Sequence, residues 1–395
     1  MGNLLARLAR RRNHRTISHS AYARIGLLGN PSDGYNGKTL SILIKNYHAT
    51  VTLKPLRSPT ITFHPHVSHD RLQYDSLADA ATKCDAEGYY GGVRLLKAAT
   101  HAFFDFWRQR GVNLASQDWI PGFTLSYDTT IPRQSGLSGS SAIIWATLQC
   151  LFEHYSLPLH ANDCNQCPQY RDVAPVKEEL PSLVLSVERR LGIAAGLQDR
   201  VIQVYGGVVH MDFHKSIMDA PPANAGKYTP LSSSQLPPLR LLVAQAPSDS
   251  GRVHSDLRQR YDNGDADVHA AMKEVAGLAD DGRALLTSSS TTTSSSSSSS
   301  SWPALFRRNF ALRRKMFGDD ALGEQNLRMV EIAEAHGFAA KFSGSGGACV
   351  ATPDVSLMPG GDVEAAEQRL VKACADENIE VHVVQVHQHD NTDDE

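Results

Sequence analysis

A run of small and hydroxyl-bearing residues that leads straight into an apolar stretch carries the strongest chemical signal of this chain. Between Ile131 and Ala142 it reads IPRQSGLSGSSA, and the apolar residues IIWA follow. A helix that starts here would present unpaired backbone N–H groups and the positive end of its dipole, and small residues would let a phosphate approach them. The pattern therefore predicts a phosphate-binding turn, although a Ser-capped helix after an ordinary glycine turn would show the same residues.

A second glycine-rich run lies near the other end of the chain. It reads KFSGSGGA from Lys341 to Ala348 and stands between a predicted helix and a predicted strand. Glycine turns in that position are common, so the run predicts little by itself. Taken with the first run, it indicates two loops that converge on one phosphate chain.

Two carboxylates, Glu188 and Asp199, are the candidates for the chemistry itself. Phosphoryl transfer needs a carboxylate for Mg²⁺ and often a second one that accepts the proton of the attacking hydroxyl. Mg²⁺ prefers oxygen ligands, and the hydroxyls of Ser140 and Ser141 could complete its shell. Isolated carboxylates on helices are mostly exposed, so the alternative is a pair of ordinary surface residues.

Two further motifs do not support a site. The tripeptide GKT at 37–39 resembles the end of a P-loop, but Ser32 stands where that pattern needs glycine, so a P-loop NTPase is excluded. Cys164 and Cys167 form one Cys-x-x-Cys pair without a second pair. This indicates two cysteines in a polar loop rather than a zinc site.

Length, composition and charge limit the class of protein. The chain has 395 residues, of which 41% are hydrophobic and 21% charged, as is typical of a water-soluble protein with two or three domains. A net charge of −3 gives no reason to expect nucleic acid or an acidic membrane as a partner. The sequence has no apolar run long enough for a transmembrane helix, and six cysteines in so long a chain fit a reducing compartment.

Apolar periodicity places these segments on regular elements. Predicted strands lie near Tyr22 and at Ser41–Leu53, Gly122–Tyr127, Leu239–Ala244, Ala348–Ala351 and Ile379–Val386. Predicted helices lie at Gly92–Trp107, Ser140–Phe152, Phe310–Phe317, Asn326–Gly337 and Ala365–Ala375. Because both types occur in both halves of the chain, the predicted fold class is α+β in two domains.

Two prolines and segments of biased composition set the predicted domain bounds. Two prolines at 237–238 mark a boundary, which predicts an N-terminal domain at 22–236 and a C-terminal domain at 237–390. Residues 1–21 are Arg-rich and acid-free, which predicts a disordered leader on a cytoplasmic protein, with an organelle transit peptide as the alternative. The Ser/Thr tract at 287–301 predicts a disordered insertion, with a phosphorylation-controlled loop as the alternative.

Three motifs in this order resemble the GHMP kinase superfamily. They are ARIGLLGN at 23–30, Pro132 with GLSGSSA at 136–142, and KFSGSGG at 341–347. The similarity runs from about Tyr22 to the C-terminal region and leaves out the leader and the Ser/Thr tract. The resemblance implies an N-terminal domain like the second domain of ribosomal protein S5 and a ferredoxin-like α+β C-terminal domain.

Within the superfamily the chain is most similar to plant-type glucuronokinase. The segments that carry this resemblance are GLLGNPSD at 26–33, EGYYGGVR at 87–94, GLQDR at 196–200, PSDSG at 247–251 and RRKMFGD at 313–319. The resemblance implies phosphorylation of D-glucuronate by ATP at the anomeric hydroxyl, on the route to UDP-glucuronate. The alternatives are a kinase for galactose, fucose or a heptose, and a sensor that binds sugar and ATP without turnover.

The resemblance also implies roles for single residues. Ser140 and Glu188 stand where the family holds Mg²⁺, and Asp199 stands where it has the catalytic aspartate. The first serine of the family's Ser-Ser pair is Gly139 here, so the choice between Ser140 and Ser141 stays open. The residues implied for the nucleotide are Pro132, Gly136, Leu137, Ser138, Gly139, Ser140, Ser141, Ala142, Gly344, Ser345 and Gly346.

Cations are needed at two places in such a site. Arg24 and Arg200 are candidates to steady the transferring phosphoryl group, and Arg24 is the second predicted catalytic residue beside Asp199. The carboxylate of the sugar needs a cation as well. The candidates for that role are Arg24, Lys38, Arg94, Arg133 and Arg200, and the sequence does not choose among them.

Overall fold

The computed structural model describes residues 15–87, 91–114, 122–161, 168–193, 195–221, 224–245, 253–288 and 301–388. Outside these residues lie most of the basic leader, the Cys-x-x-Cys pair, the PSDSG segment at 247–251, three residues of the EGYYGGVR segment and residues 289–300 of the Ser/Thr tract.

The described chain divides by its contacts into two units that are discontinuous in sequence. The first unit contains the described parts of 1–21, 47–130 and 139–195, and the second contains those of 22–46, 131–138 and 196–395. Strands β1 (Ile17–Leu28) and β2 (Lys38–Pro55) run from one unit into the other. The predicted domains at 22–236 and 237–390 follow the linear sequence instead and stay a prediction.

The first unit packs helices against a small sheet. The C-terminal half of β2 pairs antiparallel with β4 (Phe123–Thr129), and β3 (Ile61–Phe63) pairs parallel with β4. The helices of this unit are α1 (Leu77–Glu87), α2 (Val93–Gln109), α3 (Gly139–His154) and α4 (Leu180–Arg190). Helices α2, α3 and α4 pack on one another, and α3 is buried on nearly every side, as its uniformly apolar sequence predicts.

The second unit contains two groups of antiparallel strands. The N-terminal half of β2 pairs with β5 (Val208–Asp212), and β5 pairs with β6 (Lys227–Leu231). A separate sheet has the order β10-β7-β9-β8. Its strands are β7 (Arg240–Ala244), β8 (Phe338–Phe342), β9 (Ala348–Pro353) and β10 (Ile379–Val383).

Helices cover both strand groups of the second unit. They are α5 (Gln198–Tyr205), α6 (Lys215–Met218), α7 (Val253–Asp262), α8 (Ala266–Thr287), α9 (Trp302–Phe317), α10 (Asp319–Leu322), α11 (Glu324–Ala335) and α12 (Val363–Ala375). Helices α9 and α11 pack on β8, and α12 packs on β10. Met329, Phe338, Phe342 and Leu370 belong to the core that these elements enclose.

The predicted α+β class is confirmed, and every predicted strand and helix overlaps an observed one, although other elements, such as β5 and β8, were not predicted. Helix α9 begins eight residues before the predicted Phe310, because the hydroxyl of Ser301 accepts a hydrogen bond from Ala304 N and a proline occupies the first turn. Strand β10 ends at Val383, and Val386 makes only an isolated bridge with Ile44. No helix among the described residues is both long and apolar enough to cross a membrane.

Candidate active site

A buried ion pair between Arg24 and Asp199 is the centre of the candidate site. Arg24 lies in β1 and Asp199 in the first turn of α5, and the arginine Nε donates to the Asp199 Oδ1 at 2.6 Å. Arg24 Nη1 also donates to the carbonyl oxygens of Gly136 at 2.9 Å and Ser343 at 2.8 Å. One arginine therefore holds the carboxylate and both glycine-rich loops.

The surroundings of Asp199 keep its carboxyl group ionised. Burial raises its pKa, but the charges of Arg24 and Arg200 and hydrogen bonds from Arg24 and Ser138 outweigh burial, so the pKa lies below its usual value. Arg200 lies 3.4 Å from the Asp199 Oδ2 and donates to the carbonyl of Gly196 at 2.9 Å. A carboxylate of this kind accepts a hydrogen bond and stabilises positive charge well, but it is a weak base.

A second carboxylate, Asp33, lies beside the first. Its Oδ2 accepts a hydrogen bond from the backbone N of Gln198 at 3.2 Å, and a Cβ at Gly196 would come within 1.9 Å of the same oxygen. Burial and then the charge of Asp199 raise the pKa of Asp33 to about 6, although Gln198, Arg200 and Arg24 oppose the shift. The sequence alone did not identify Asp33 as part of the site, because Asp33 and Asp199 are far apart along the chain and no local spacing relates them.

The raised pKa of Asp33 predicts a pH dependence of stability. Because the folded state binds this proton more tightly than the unfolded chain, whose carboxyl has a pKa of 3.8, its contribution is complete below that value and is lost as the pH rises through about 6. The free energy of unfolding of Asp33→Asn minus that of the unmodified protein should increase by about 2 kcal/mol between pH 4 and pH 7.5, because only the unmodified protein loses the contribution of this proton. Urea unfolding of both proteins at the two pH values measures this, and a pH-independent difference would contradict it.

The two glycine-rich loops lie against each other, as the sequence predicts. A Cβ at Gly136 would come within 2.7 Å of the Gly346 carbonyl oxygen and 2.8 Å of Ser345 N. A Cβ at Gly344 would come within 2.1 Å of the Gly136 carbonyl oxygen. Only glycine permits this approach of the two backbones, and Gly136 also needs its positive φ of 63°.

Lys341 fixes the C-terminal glycine loop to the first motif, a role that sequence reasoning did not find. It is 1% exposed, and its Nζ donates to the carbonyl oxygens of Gly26 at 2.7 Å and Phe342 at 2.7 Å and to the Asn30 Oδ1 at 2.9 Å. Burial, followed by the charges of Arg313 and Arg24, lowers its pKa well below the ordinary value. Its position at the start of the KFSGSGG run was the available signal.

Within the first unit, an oxygen pair lies at the start of α3. The hydroxyl of Ser140 donates to the Glu188 Oε1 at 2.7 Å, and Glu188 is fully buried on α4. Ser141 is fully buried, while Ser140 is partly exposed. The hydroxyl of Ser140 therefore lies beside the candidate Mg²⁺ carboxylate.

The Ser140–Glu188 pair fits Mg²⁺ by its chemistry. Both groups are oxygen donors, one of them anionic, as this hard cation prefers. In the described part of the chain no three His, Cys, Asp or Glu side chains are grouped so that they could hold a metal. A site of two protein ligands completed by phosphate oxygens and water is usual for Mg²⁺ in phosphoryl transfer.

The predicted cations differ in their surroundings. Lys38 Nζ lies 2.8 Å from the Asp280 Oδ2 and 3.7 Å from the Asp212 Oδ2, so protein carboxylates already compensate its charge. Arg24 and Arg200 are paired with Asp199. Arg94 lies in the first turn of α2, and Arg133 stands two residues before Ser135 in the turn that leads to α3.

Comparison with known proteins places this architecture in a class. Residues 94–207 match the family described as the GHMP kinases N terminal domain. The crystal structure of Methanococcus jannaschii mevalonate kinase superposes with a TM-score of 0.63 at 15% identity, covering 95% of this chain and 99% of that one. At this identity the superposition shows the fold alone, which is the two-domain α+β fold of these kinases.

Two curated relatives are much more similar in sequence. Glucuronokinase 1 of Arabidopsis thaliana is 47% identical over 334 residues, which are 85% of this chain and 84% of the relative. Probable glucuronokinase 2 of the same plant is 46% identical over 335 residues, which are 85% and 83% of the two chains. This chain therefore belongs to the GHMP kinase family, and the predicted resemblance is confirmed.

Proposed function

We propose that the chain is a glucuronokinase, which transfers the γ-phosphoryl group of ATP to the anomeric hydroxyl of D-glucuronate and releases ADP and glucuronate 1-phosphate for UDP-glucuronate synthesis. The observation that carries this is the identity of 46–47% to two proteins named as glucuronokinases, over 85% of the chain. The family and the two glucuronokinase relatives together make the chain an ATP-dependent sugar kinase.

The phosphates of ATP are assigned to the turn at 136–141 and the start of α3. Gln134, Gly136 and Ser138 adopt positive φ values of 54°, 63° and 73°, which curl the backbone just before the helix. Backbone N–H groups in such turns, together with the positive end of a helix dipole, bind anions. The assignment extends to Gly344–Gly346 because that loop lies against Gly136.

Ser140 and Glu188 would hold Mg²⁺, since the hydroxyl at the start of α3 and the carboxylate on α4 are neighbouring oxygen donors 2.7 Å apart. When bound, Mg²⁺ neutralises charge on the β- and γ-phosphates. Glu188 brings its negative charge into a buried position, where the attraction for a cation is stronger than in water.

Asp199 is assigned to the sugar hydroxyl that attacks. Because its pKa is depressed, it binds and orients the hydroxyl as an acceptor and takes up little of the proton before the transition state. This suffices in phosphoryl transfer, whose loose transition state needs little charge on the attacking oxygen. Arg24 keeps the carboxylate in place and supplies positive charge beside the two glycine loops.

An assay of ADP release with Mg-ATP tests the substrate. The acceptors are glucuronate, galacturonate, galactose, fucose, glucose and mevalonate. Turnover with glucuronate alone is expected. Turnover with a neutral sugar would keep the kinase and reject glucuronate, and ATP binding without turnover on any acceptor would favour the sensor.

Ser140→Ala should raise the Mg²⁺ concentration needed for half-maximal activity by roughly 10-fold. The reason is that Mg²⁺ would lose one of its two proposed protein ligands, the hydroxyl that lies 2.7 Å from the Glu188 Oε1. Titration of activity with Mg²⁺ at saturating substrate measures the effect. Ser141→Ala is the matched control, and a larger effect there would reverse the assignment of the two serines.

A further inference from the structure

Arg313 of α9 is a buried cation to which the proposed reaction assigns no role. Its side chain is 3% exposed, and the guanidinium carbon lies 5.2 Å and 5.1 Å from the ring centroids of Phe317 and Phe342. Among the described residues no carboxylate forms an ion pair with it, and its buried Nε has no hydrogen-bond partner. Burying a charged side chain without an ionic partner costs free energy of folding, so we expect Arg313 to have a function that offsets this cost.

The hydrogen bond that Arg313 does make is to the C-terminal glycine loop. Its Nη2 donates to the carbonyl oxygen of Ser345 at 3.2 Å. Asn326 holds the next part of the loop, because its Oδ1 accepts from Gly347 N at 2.7 Å. Arg24 holds the start of the loop through the Ser343 carbonyl oxygen. Buried side chains therefore fix the turn at three successive points.

The turn held in this way presents consecutive backbone N–H donors. Within the described chain, the backbone N–H groups of Gly344, Ser345 and Gly346 have no hydrogen-bond partner. The nitrogens of Ser345 and Gly346 lie beside Gly136, at 2.8 Å and 3.1 Å from where its Cβ would be. Consecutive unpaired N–H groups of this kind form an anion-binding concavity.

The charge around the turn is also positive. Burial and then the charge of Arg24 lower the pKa of Arg313 to about 10, so the side chain is still protonated at pH 7. Burial and then the charges of Arg313 and Arg24 lower the pKa of Lys341. Arg24 and Arg313 thus place two positive charges beside the turn, and both would attract an incoming anion.

We propose that Arg313 is a positioning residue for the phosphate chain of ATP. It holds the Ser345 carbonyl so that the N–H groups of Gly344–Gly346 stay available to the phosphates beside Gly136, and its buried charge strengthens their attraction for the anion. This inference rests on the proposed kinase function. It adds a residue of the RRKMFGD segment to which no role was assigned.

The test measures nucleotide binding without any sugar. Isothermal titration with Mg²⁺ and a non-hydrolysable ATP analogue, and separately with AMP, is carried out on Arg313→Met and Arg313→Lys. Arg314→Met is the matched control, since Arg314 is the next residue on α9, is half-exposed and pairs with Asp319 at the surface. Thermal unfolding of each variant is recorded in parallel.

In Arg313→Met, the Kd for the ATP analogue should rise about 10- to 100-fold, as for the loss of a charged hydrogen-bonding group, while the Kd for AMP changes less than twofold. The melting temperature should stay the same or rise, because an apolar side chain replaces an unpaired buried charge. Arg313→Lys should bind the analogue with intermediate affinity, and Arg314→Met should bind it normally.

Unchanged affinity for the analogue in folded Arg313→Met overturns the proposal, as does an equal loss for AMP. If Arg313→Met does not fold, the Kd values of Arg313→Lys for the analogue and for AMP decide by the same criteria. Failure of the unmodified protein to phosphorylate glucuronate would reject only the proposed substrate, because the binding comparison needs no acceptor.

Discussion

Replacement of Asp199 by asparagine should lower the turnover number with glucuronate by about 10³-fold while ATP still binds. The amide keeps the shape of the side chain but carries no charge to orient the attacking hydroxyl. It also leaves the guanidinium of Arg24, now 2.6 Å from the Asp199 Oδ1, without its ionic partner in a buried place. Steady-state kinetics and titration with nucleotide separate the two effects.

The control for this substitution is Asp267→Asn. Asp267 likewise lies in the first turn of a helix, α8, but its side chain is 83% exposed. The control should keep unmodified turnover and nucleotide affinity. Near-normal turnover of Asp199→Asn would remove this residue from the catalytic role, and loss of ATP binding would make it a nucleotide ligand instead.

Gly344→Ala should lower kcat/KM for ATP by roughly 100-fold, the size of effect expected when a site shifts by about 1 Å. The new Cβ would lie 2.1 Å from the carbonyl oxygen of Gly136 and 2.9 Å from the Arg24 Nη1. The nearest obstacle is backbone, which cannot rotate away as a flexible side chain can. The two loops must therefore separate, and the hydrogen bonds of Arg24 to both of them must lengthen.

Kinetics with varied ATP and thermal unfolding measure the consequences of Gly344→Ala. Gly277→Ala is the control, because Gly277 lies within α8 and a Cβ there would meet nothing within 4 Å. Alanine favours a helix over glycine, so this control should be as active as the unmodified protein and slightly more stable. Full activity of Gly344→Ala would show that the close approach of the loops is not required.

Much of the architecture follows from local patterns in the sequence. The predominantly apolar run after Ala142 indicates a buried helix, and α3 is buried on nearly every side. The three motifs, in their order, indicate the GHMP kinases, and the comparisons confirm that family. Local patterns succeed here because helix formation and glycine turns depend on residues that are neighbours along the chain.

The contacts that define the site could not be predicted in that way. Arg24 and Asp199 are 175 residues apart in sequence, and only the folded chain brings β1 and the start of α5 together. The same holds for Asp33, whose raised pKa depends on burial and on Asp199, and for Arg313, whose surface-like sequence RRK gives no sign that this arginine is buried. Solvation and long-range charge are properties of the tertiary structure.

The amino-acid sequence alone was enough to identify the family, the two glycine loops and the pair of candidate serines. The proposal of Ser140 rather than Ser141 needed the tertiary structure, because successive residues on a helix point about 100° apart. At the start of α3 this turns the hydroxyl of Ser140 to Glu188 and buries Ser141 completely. The side chain that meets Glu188 depends on how α3 is rotated against α4, and only the packing of the folded chain sets that rotation.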